Sequence, residues 1–125
     1  MNDTEAVVAT ALDYFEGWYD ADEVRVDRAL HAELVKRSVD QVRGADPSVT
    51  TKERMLELVR AGAGAEDKTD DPIEVTVADI HHDIASAVVR SAQYREYLQL
   101  VRTHDGWKIS GALWQLTHPD PGPSA

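Results

Sequence analysis

The sequence contains no cysteine in its 125 residues. That absence excludes a disulfide framework, a thiolate nucleophile and every zinc site built on sulfur ligands. Bases are scarce as well: 13 lysines and arginines stand against 23 aspartates and glutamates, a formal charge of −10. A surface of that sign repels a phosphate backbone and the anionic face of a membrane, so neither nucleic acid nor a membrane is an expected partner. No apolar run approaches the roughly 20 residues needed to span a bilayer. The opening stretch, MNDTEAVVATALDYFEGW, has no basic start, carries acids among its apolar residues and shows no small-residue cleavage site. It does not read as a secretory leader, and a cytoplasmic location is the expectation. Also missing are a Gly-x-Ser-x-Gly elbow, a glycine-rich dinucleotide loop, a phosphate loop and a His-Glu-x-x-His pair. Hydrolases, nucleotide enzymes and metalloproteases of those kinds are disfavoured, and no cofactor is expected.

What is present reads as one domain. Val8, Leu12, Phe15 and Tyr19 recur at i, i+4, i+7 and i+11, with Val7, Ala11, Tyr14 and Trp18 on adjoining rows. That spacing predicts a helix over residues 5–19, opened by Asn2 and Glu5 as a capping pair. Val26 and Leu30 share a face of a shorter helix over 22–30, and His31 falls at its exit. Residues 34–39 read as a short strand, 44–48 as a turn-rich connector, and Thr50 with Glu53 as a Thr-x-x-Glu box opening a third helix with Met55, Leu58 and Val59 on its apolar face. Gly62 is placed to end that helix in the left-handed conformation.

From Ile73 the period changes to two. Ile73, Val75 and Val77 alternate with polar or small residues, His82-Asp83 turns the chain into a strand from Ile84, Tyr94–Thr103 is a third strand, and His104-Asp105-Gly106 signals a hairpin into Trp107–Leu116. Helices first and an antiparallel meander last make an α+β pattern with the helices on one side of the sheet. Residues 1–117 form the expected domain, and the proline-rich 118–125 is expected to be a disordered tail.

The order of elements resembles the nuclear-transport-factor-2-like cone fold, and several strings resemble its lumazine-binding-like group. They are Tyr14-Phe15-Glu16-Gly17-Trp18-Tyr19-Asp20-Ala21-Asp22, Ala29-Leu30-His31-Ala32-Glu33-Leu34-Val35-Lys36-Arg37, Thr51-Lys52-Glu53-Arg54-Met55-Leu56, and Gly106-Trp107-Lys108-Ile109 with Leu113-Trp114. The family's histidine is usually followed by proline, where this chain has Ala32. The resemblance spans residues 5–116 and implies three N-terminal helices packed on a curved, mostly antiparallel sheet, a cone with an interior cleft for a small ligand. It also implies a pterin-like ligand, although one fold hosts many unrelated chemistries.

Candidate site residues follow from which side chains reach that cleft. Tyr14 and Trp18, four apart, share a helix face. They are either packed core with their polar ends satisfied, or a phenol donor beside an aromatic wall of the kind cone isomerases use to polarise a carbonyl. His31 is either a structural histidine or an acid–base group at the rim of the same cleft. Of Lys36 and Arg37, adjacent on a strand, at most one faces inward. Asp79 shares parity with Val75 and Val77 and is either an inward carboxylate or a solvated one beside a turn. Met55, Tyr97 and Trp114 complete the candidate ligand walls. His81 and His82 point apart on a strand and do not make a metal pair.

The reading is a binding protein for a small hydrophobic or aromatic molecule, open to a role as a cofactor-free lyase or isomerase through Tyr14 and His31. The contrasting reading is a non-catalytic homodimeric structural or interaction domain whose cleft is filled by side chains. Apolar residues on both faces of the Tyr94–Thr103 strand predict that a second copy covers the outer sheet face.

Overall fold

The computed structural model describes residues 1–39 and 46–119. Helix α1 (Asp3–Tyr19) opens on the expected capping box: the Asn2 side chain accepts from the Glu5 amide at 2.8 Å while the Glu5 side chain reaches back to the Asn2 amide. Helix α2 (Glu23–Ala29) is capped by Asp22 and leads straight into strand β1 (Leu30–Ser38), which begins four residues earlier than the sequence suggested. A short strand β2 (Ser48–Thr50) pairs antiparallel with β1 and hands over to helix α3 (Lys52–Arg60). Pairing holds Thr50 in the sheet opposite Lys36, so the cap of α3 falls on Thr51, which accepts from the Arg54 amide. The expected Thr50–Glu53 box is therefore not formed. Gly62 does end α3 with a positive φ of 77°. The Gly62 amide donates to the Val59 carbonyl and the Ala63 amide to the Leu58 carbonyl, the paired bonds of a Schellman stop.

Strands β3 (Glu74–His81), β4 (Ile84–Arg90), β5 (Tyr94–Thr103) and β6 (Gly106–Leu116) form the predicted meander. The sheet order is β2-β1-β6-β5-β4-β3, antiparallel except where β1 lies parallel to β6. This is the α+β architecture the sequence implied, with the helices on one face of a mostly antiparallel sheet. The core forms between them: Val7, Ala11 and Phe15 of α1, Val26 of α2 and Val59 of α3 meet Leu34, Val89, Leu98, Leu100 and Ile109 of the sheet. Each fully buried Leu or Ile among them contributes about 1.5–3 kcal/mol from apolar burial. Two ion pairs, Arg25 with Glu16 at 2.7 Å and Arg28 with Asp13 at 2.8 Å, fix α2 against α1 on the outside of that core.

Bulges decide which side chains face inward. In β3, Val77 pairs with Ala87 and Asp79 with Ser86, leaving Ala78 extra. In β6, Gly111 pairs with Gln99 and Ile109 with Leu100, leaving Ser110 extra. An extra residue reverses the in–out alternation beyond it. Trp107 and Ile109 are buried before the β6 bulge, and Ala112 and Trp114 turn to the same inner side after it. The 44–45 part of the predicted connector and the 120–125 part of the predicted tail lie outside the described residues. Among the described residues no helix is long and apolar enough to cross a membrane.

Trp107 is 6% exposed and carries the Arg102 guanidinium 4.9 Å above its ring. Trp107→Ala should destabilise the fold by about 3–5 kcal/mol in a urea titration. A loss under about 1 kcal/mol would show that the indole adds little to the core.

Candidate functional site

The inner face of the sheet does not close completely on its helices. Between them lies a cavity of about 80 Å³ lined by Tyr14, Phe15, Trp18, Lys36, Thr50, Met55, Leu58, Tyr94, Glu96 and Trp114. At about 30 Å³ per water in the liquid, that is room for about two or three water molecules. Each wall follows from local structure. Helical spacing stacks Tyr14 and Trp18 one turn apart on α1, and the same spacing on α3 puts Met55 and Leu58 opposite them. Strand alternation sends Leu34 and Lys36 inward from β1, and Tyr94, Glu96, Leu98 and Leu100 inward from β5. The β6 bulge brings Trp114 to the same side, directly opposite Glu96. Its ring meets Tyr94 edge-on, with centroids 5.2 Å apart.

Trp18 is fixed by a close approach. A Cβ on Gly64 would lie 2.3 Å from the Trp18 carbonyl oxygen and 2.6 Å from its indole, so only glycine lets the segment after α3 pass beneath the ring. Beside it the Tyr94 hydroxyl donates to Asp67 at 2.9 Å, tying β5 to the same segment. Burial and the Asp67 carboxylate push the Tyr94 phenol well above its ordinary range.

Three ionisable groups meet at the cavity. Tyr14 is 2% exposed, Glu96 2% and Lys36 8%. The Tyr14 hydroxyl donates to Glu96 Oε2 at 2.7 Å and accepts a short hydrogen bond from Lys36 Nζ. Lys36 Nζ stands 3.7 Å from Glu96 Oε1, so the phenol bridges the amine and the carboxylate. The same Nζ lies 5.0, 5.9 and 5.4 Å from the ring centroids of Tyr14, Trp18 and Trp114. Aromatic faces thus supply part of the solvation that water would otherwise give the ammonium.

Burial acts on all three groups against their charged forms. It lowers the Lys36 pKa, opposed by Glu96, and it raises the Glu96 pKa, opposed by Lys36 and Tyr14. The Tyr14 phenol is pushed far up by burial and then by the Glu96 carboxylate, so it stays a proton donor. Among the described residues every buried side-chain nitrogen and oxygen has a hydrogen-bond partner. No group of three or more His, Asp or Glu is arranged among them to hold a metal.

Of the residues singled out in the sequence, the structure brings Tyr14, Trp18, Met55 and Trp114 to this cavity. It does not bring His31, Asp79 or Tyr97. His31 lies near the start of β1 on the outer side of the sheet, its Nδ1 accepting from the Glu33 amide at 3.0 Å. It shares an outer groove with Asp79 and His81. The single cleft expected for Tyr14, Trp18 and His31 is not formed, because β1 already runs through His31 and its alternation points Leu34 and Lys36 inward instead. Asp79 is turned out by the bulge at Ala78, which breaks the parity it shares with Val77. Tyr97 is 52% exposed and lies on the outer face of β5.

Of the lining residues outside the expected set, two carry ionisable groups that close the hydrogen-bonded chain with Tyr14: Lys36 and Glu96. Lys36 was one of an adjacent pair, and the structure selects it over Arg37. Glu96 shares strand parity with Tyr94, Leu98 and Leu100. A carboxylate on an otherwise apolar inward stripe was the signal.

The family-wide sequence profile described as "Putative lumazine-binding" matches residues 2–115. The chain belongs to that family. A comparison with the curated proteins finds no match. Among solved structures, the chain is similar to a nuclear-transport-factor-2-like protein of unknown function from Silicibacter pomeroyi, at TM-score 0.72 and 14% identity, covering 93% of this chain and 99% of that one. A second such protein, from Shewanella baltica, matches at TM-score 0.71 and 17% identity, covering 94% of each chain. A ketosteroid isomerase-like protein from Erwinia carotovora atroseptica matches at TM-score 0.66 and 18% identity, covering 95% of this chain and 100% of the other. These likenesses establish the cone fold that the family shares.

Removing one partner of a buried pair leaves the other uncompensated, so Lys36→Met should cost about 3–5 kcal/mol in chemical denaturation. Replacing the whole chain of groups, with Lys36→Met, Glu96→Leu and Tyr14→Phe together, should cost less than Lys36→Met alone. A triple variant less stable than that single one would show the network to be a net source of stability.

Proposed function

We propose that the protein binds a small apolar or aromatic molecule in the interior cavity, with the ligand's polar end hydrogen-bonded to the Lys36–Tyr14–Glu96 chain. The observation that carries this reading is a buried amine–phenol–carboxylate chain opening onto an otherwise apolar cavity. Buried ion pairs add little to stability compared with hydrophobic residues of the same volume, whereas ionisable groups perturbed by burial cluster at functional sites. Against a cleft filled by side chains stands the cavity itself. Its size favours one ring or a short chain, because about 80 Å³ falls well below the roughly 300–1,000 Å³ of pockets for drug-sized ligands. A fused-ring pterin of the kind the family's name suggests needs the walls to move apart.

The same groups suit proton transfer within a bound ligand. By turning its one proton from Glu96 to a carbonyl oxygen, Tyr14 would hold the ligand and free Glu96 to accept a proton from the adjacent carbon, the division of labour of a cofactor-free isomerase or lyase. His31, on the outer face, takes no part. Ligand-detected NMR with a panel of single-ring alcohols, phenols and ketones should find binders, and Tyr14→Phe should weaken them by about 1–3 kcal/mol, the loss of one hydrogen bond. Binders whose affinity is equal in both proteins would place the recognition elsewhere.

We further propose that the protein works as a homodimer through the outer sheet face. Val88, Tyr97 and Leu113 form one cross-strand row over β4, β5 and β6, and Ile84 and Val101 form another pair on the same side. Tyr97 is 52% and Leu113 42% exposed, more apolar surface than a wet antiparallel face carries. An outer face made of one twisted sheet is suited to a copy of itself across a two-fold axis. Sedimentation at micromolar concentration should give twice the 13.9 kDa chain mass, and Tyr97→Glu should return it to the single mass. A wild-type chain that sediments as a monomer would sink the proposal.

A further inference from the structure

We propose that Lys36 is a nucleophile, and that its Nζ forms an imine with a small neutral aldehyde or ketone admitted to the interior cavity. The inference deepens the ligand-binding reading above and rests on it. Three features carry it. The amine lines the cavity and is faced by aromatic rings rather than water. It is joined to a carboxylate by a single phenol that accepts from the amine and donates to the carboxylate. And it is the one lysine so placed: Lys52 is hydrogen-bonded to the backbone carbonyls of Asp27 and Leu30, Lys68 to the Asp20 carboxylate and Lys108 to the Arg28 carbonyl, all away from the cavity.

An amine becomes nucleophilic only when its lone pair is free, and the phenol bridge supplies the route. A proton leaves the Lys36 ammonium for Tyr14 Oη as Tyr14 passes its own proton to Glu96 Oε2. The products are a neutral amine and a neutral carboxylic acid. Burial favours both forms, lowering the Lys36 pKa and raising that of Glu96. The amine lone pair then forms the C–N bond at the carbonyl carbon while the C=O π pair moves to oxygen. Transfer of one proton from nitrogen to that oxygen gives the carbinolamine. Glu96 returns its proton, through Tyr14, to the hydroxyl, which departs as water while the nitrogen lone pair closes the C=N bond. In sum, an ammonium, a carboxylate and a carbonyl compound give a protonated imine, a carboxylate and one water. No oxidant, reductant or cofactor enters the balance.

The substrate class follows from charge and space. Glu96 already neutralises Lys36, so a ligand carboxylate would enter the cavity without a counter-charge. Neutral carbonyl compounds of one ring or a short chain fit, and 2-oxo acids do not.

The test uses the wild-type protein, butanal as probe and cyanoborohydride to trap the imine as a stable butyl amine, mapped by peptide mass spectrometry. At pH 7 Lys36 should be labelled about tenfold or more faster than Lys52, Lys68 or Lys108, because burial disfavours its ammonium form and the phenol bridge to Glu96 gives the proton a way out. In parallel, butan-1-ol, which cannot form an imine, should shift the indole N–H resonances of Trp18 and Trp114 if the cavity binds such molecules at all. Preferential labelling of Lys36 supports the proposal, and slower labelling in Tyr14→Phe supports the proton route. If butan-1-ol shifts those resonances but Lys36 is labelled no faster than the surface lysines, the nucleophile is overturned and the ligand-binding reading stands. If neither happens, both fall.

Discussion

The hydrogen bond between the Tyr14 phenol and the Glu96 carboxylate, with the Lys36 amine behind it, is the constraint around which the inner face is arranged. It joins α1 to two strands that are not neighbours in the sheet, β1 and β5, with β6 lying between. A carboxylate and an ammonium at 8% exposure or less are tolerable only if each finds its partner, so the three elements are held in one relative position. Ala112 on β6 is the cross-strand partner of both Lys36 and Leu98. Its single methyl leaves the space over β6 through which the long Lys36 side chain reaches toward Glu96.

Polar groups placed this way cost stability and leave a void that a fully apolar core would fill. The surrounding structure offsets that cost away from the cavity. At the other end of the domain Val7, Trp107, Leu100 and Ile109 are buried apolar residues of the core, and the ion pairs of Arg25 and Arg28 clamp α2 on its outer side. The domain thus divides into a dry end that maintains the fold and a polar end that keeps an opening, the usual separation between scaffold and site.

How much of this was legible in the sequence depends on the range of the interaction. Local signals read well: the Asn2–Glu5 capping box, the Gly62 stop and the hairpin at His104–Gly106 each involve residues within a few positions of one another. The apolar stripe of α1 groups Tyr14 with Trp18, and both lie on the inner side of the sheet. Misplacements came where the period of two was carried across an unseen bulge. Asp79 keeps the parity of Val77 in the sequence and loses it in the fold, because Ala78 is extra. The sequence signals a helix exit at His31 because the strand pattern begins at Leu34, and once β1 begins at Leu30 the histidine faces outward. Glu96 escaped because a carboxylate next to Tyr97 and Arg95 looks solvated until β1 brings Lys36 across the sheet. That contact joins residues 60 positions apart, beyond any local pattern.

The β6 bulge shows how narrowly the site is specified. With strict alternation from Trp107 and Ile109, the inward residues beyond them would be Gly111, Leu113 and Gln115, and Trp114 would lie on the outer face. One extra residue at Ser110 reverses this, placing Trp114 opposite Glu96 and turning Leu113 outward beside Tyr97. A single insertion in register therefore sets both faces at once. It gives the cavity the indole wall that faces the Lys36 amine, and it gives the outer sheet an aliphatic residue in the row with Val88 and Tyr97. Drawing Ser110 into the regular pairing, so that no residue is extra, would exchange the two, sending a large aromatic out of the cavity and a leucine into it. The inner chemistry and the outer surface of this domain are thus coupled through one strand, although no side chain links them.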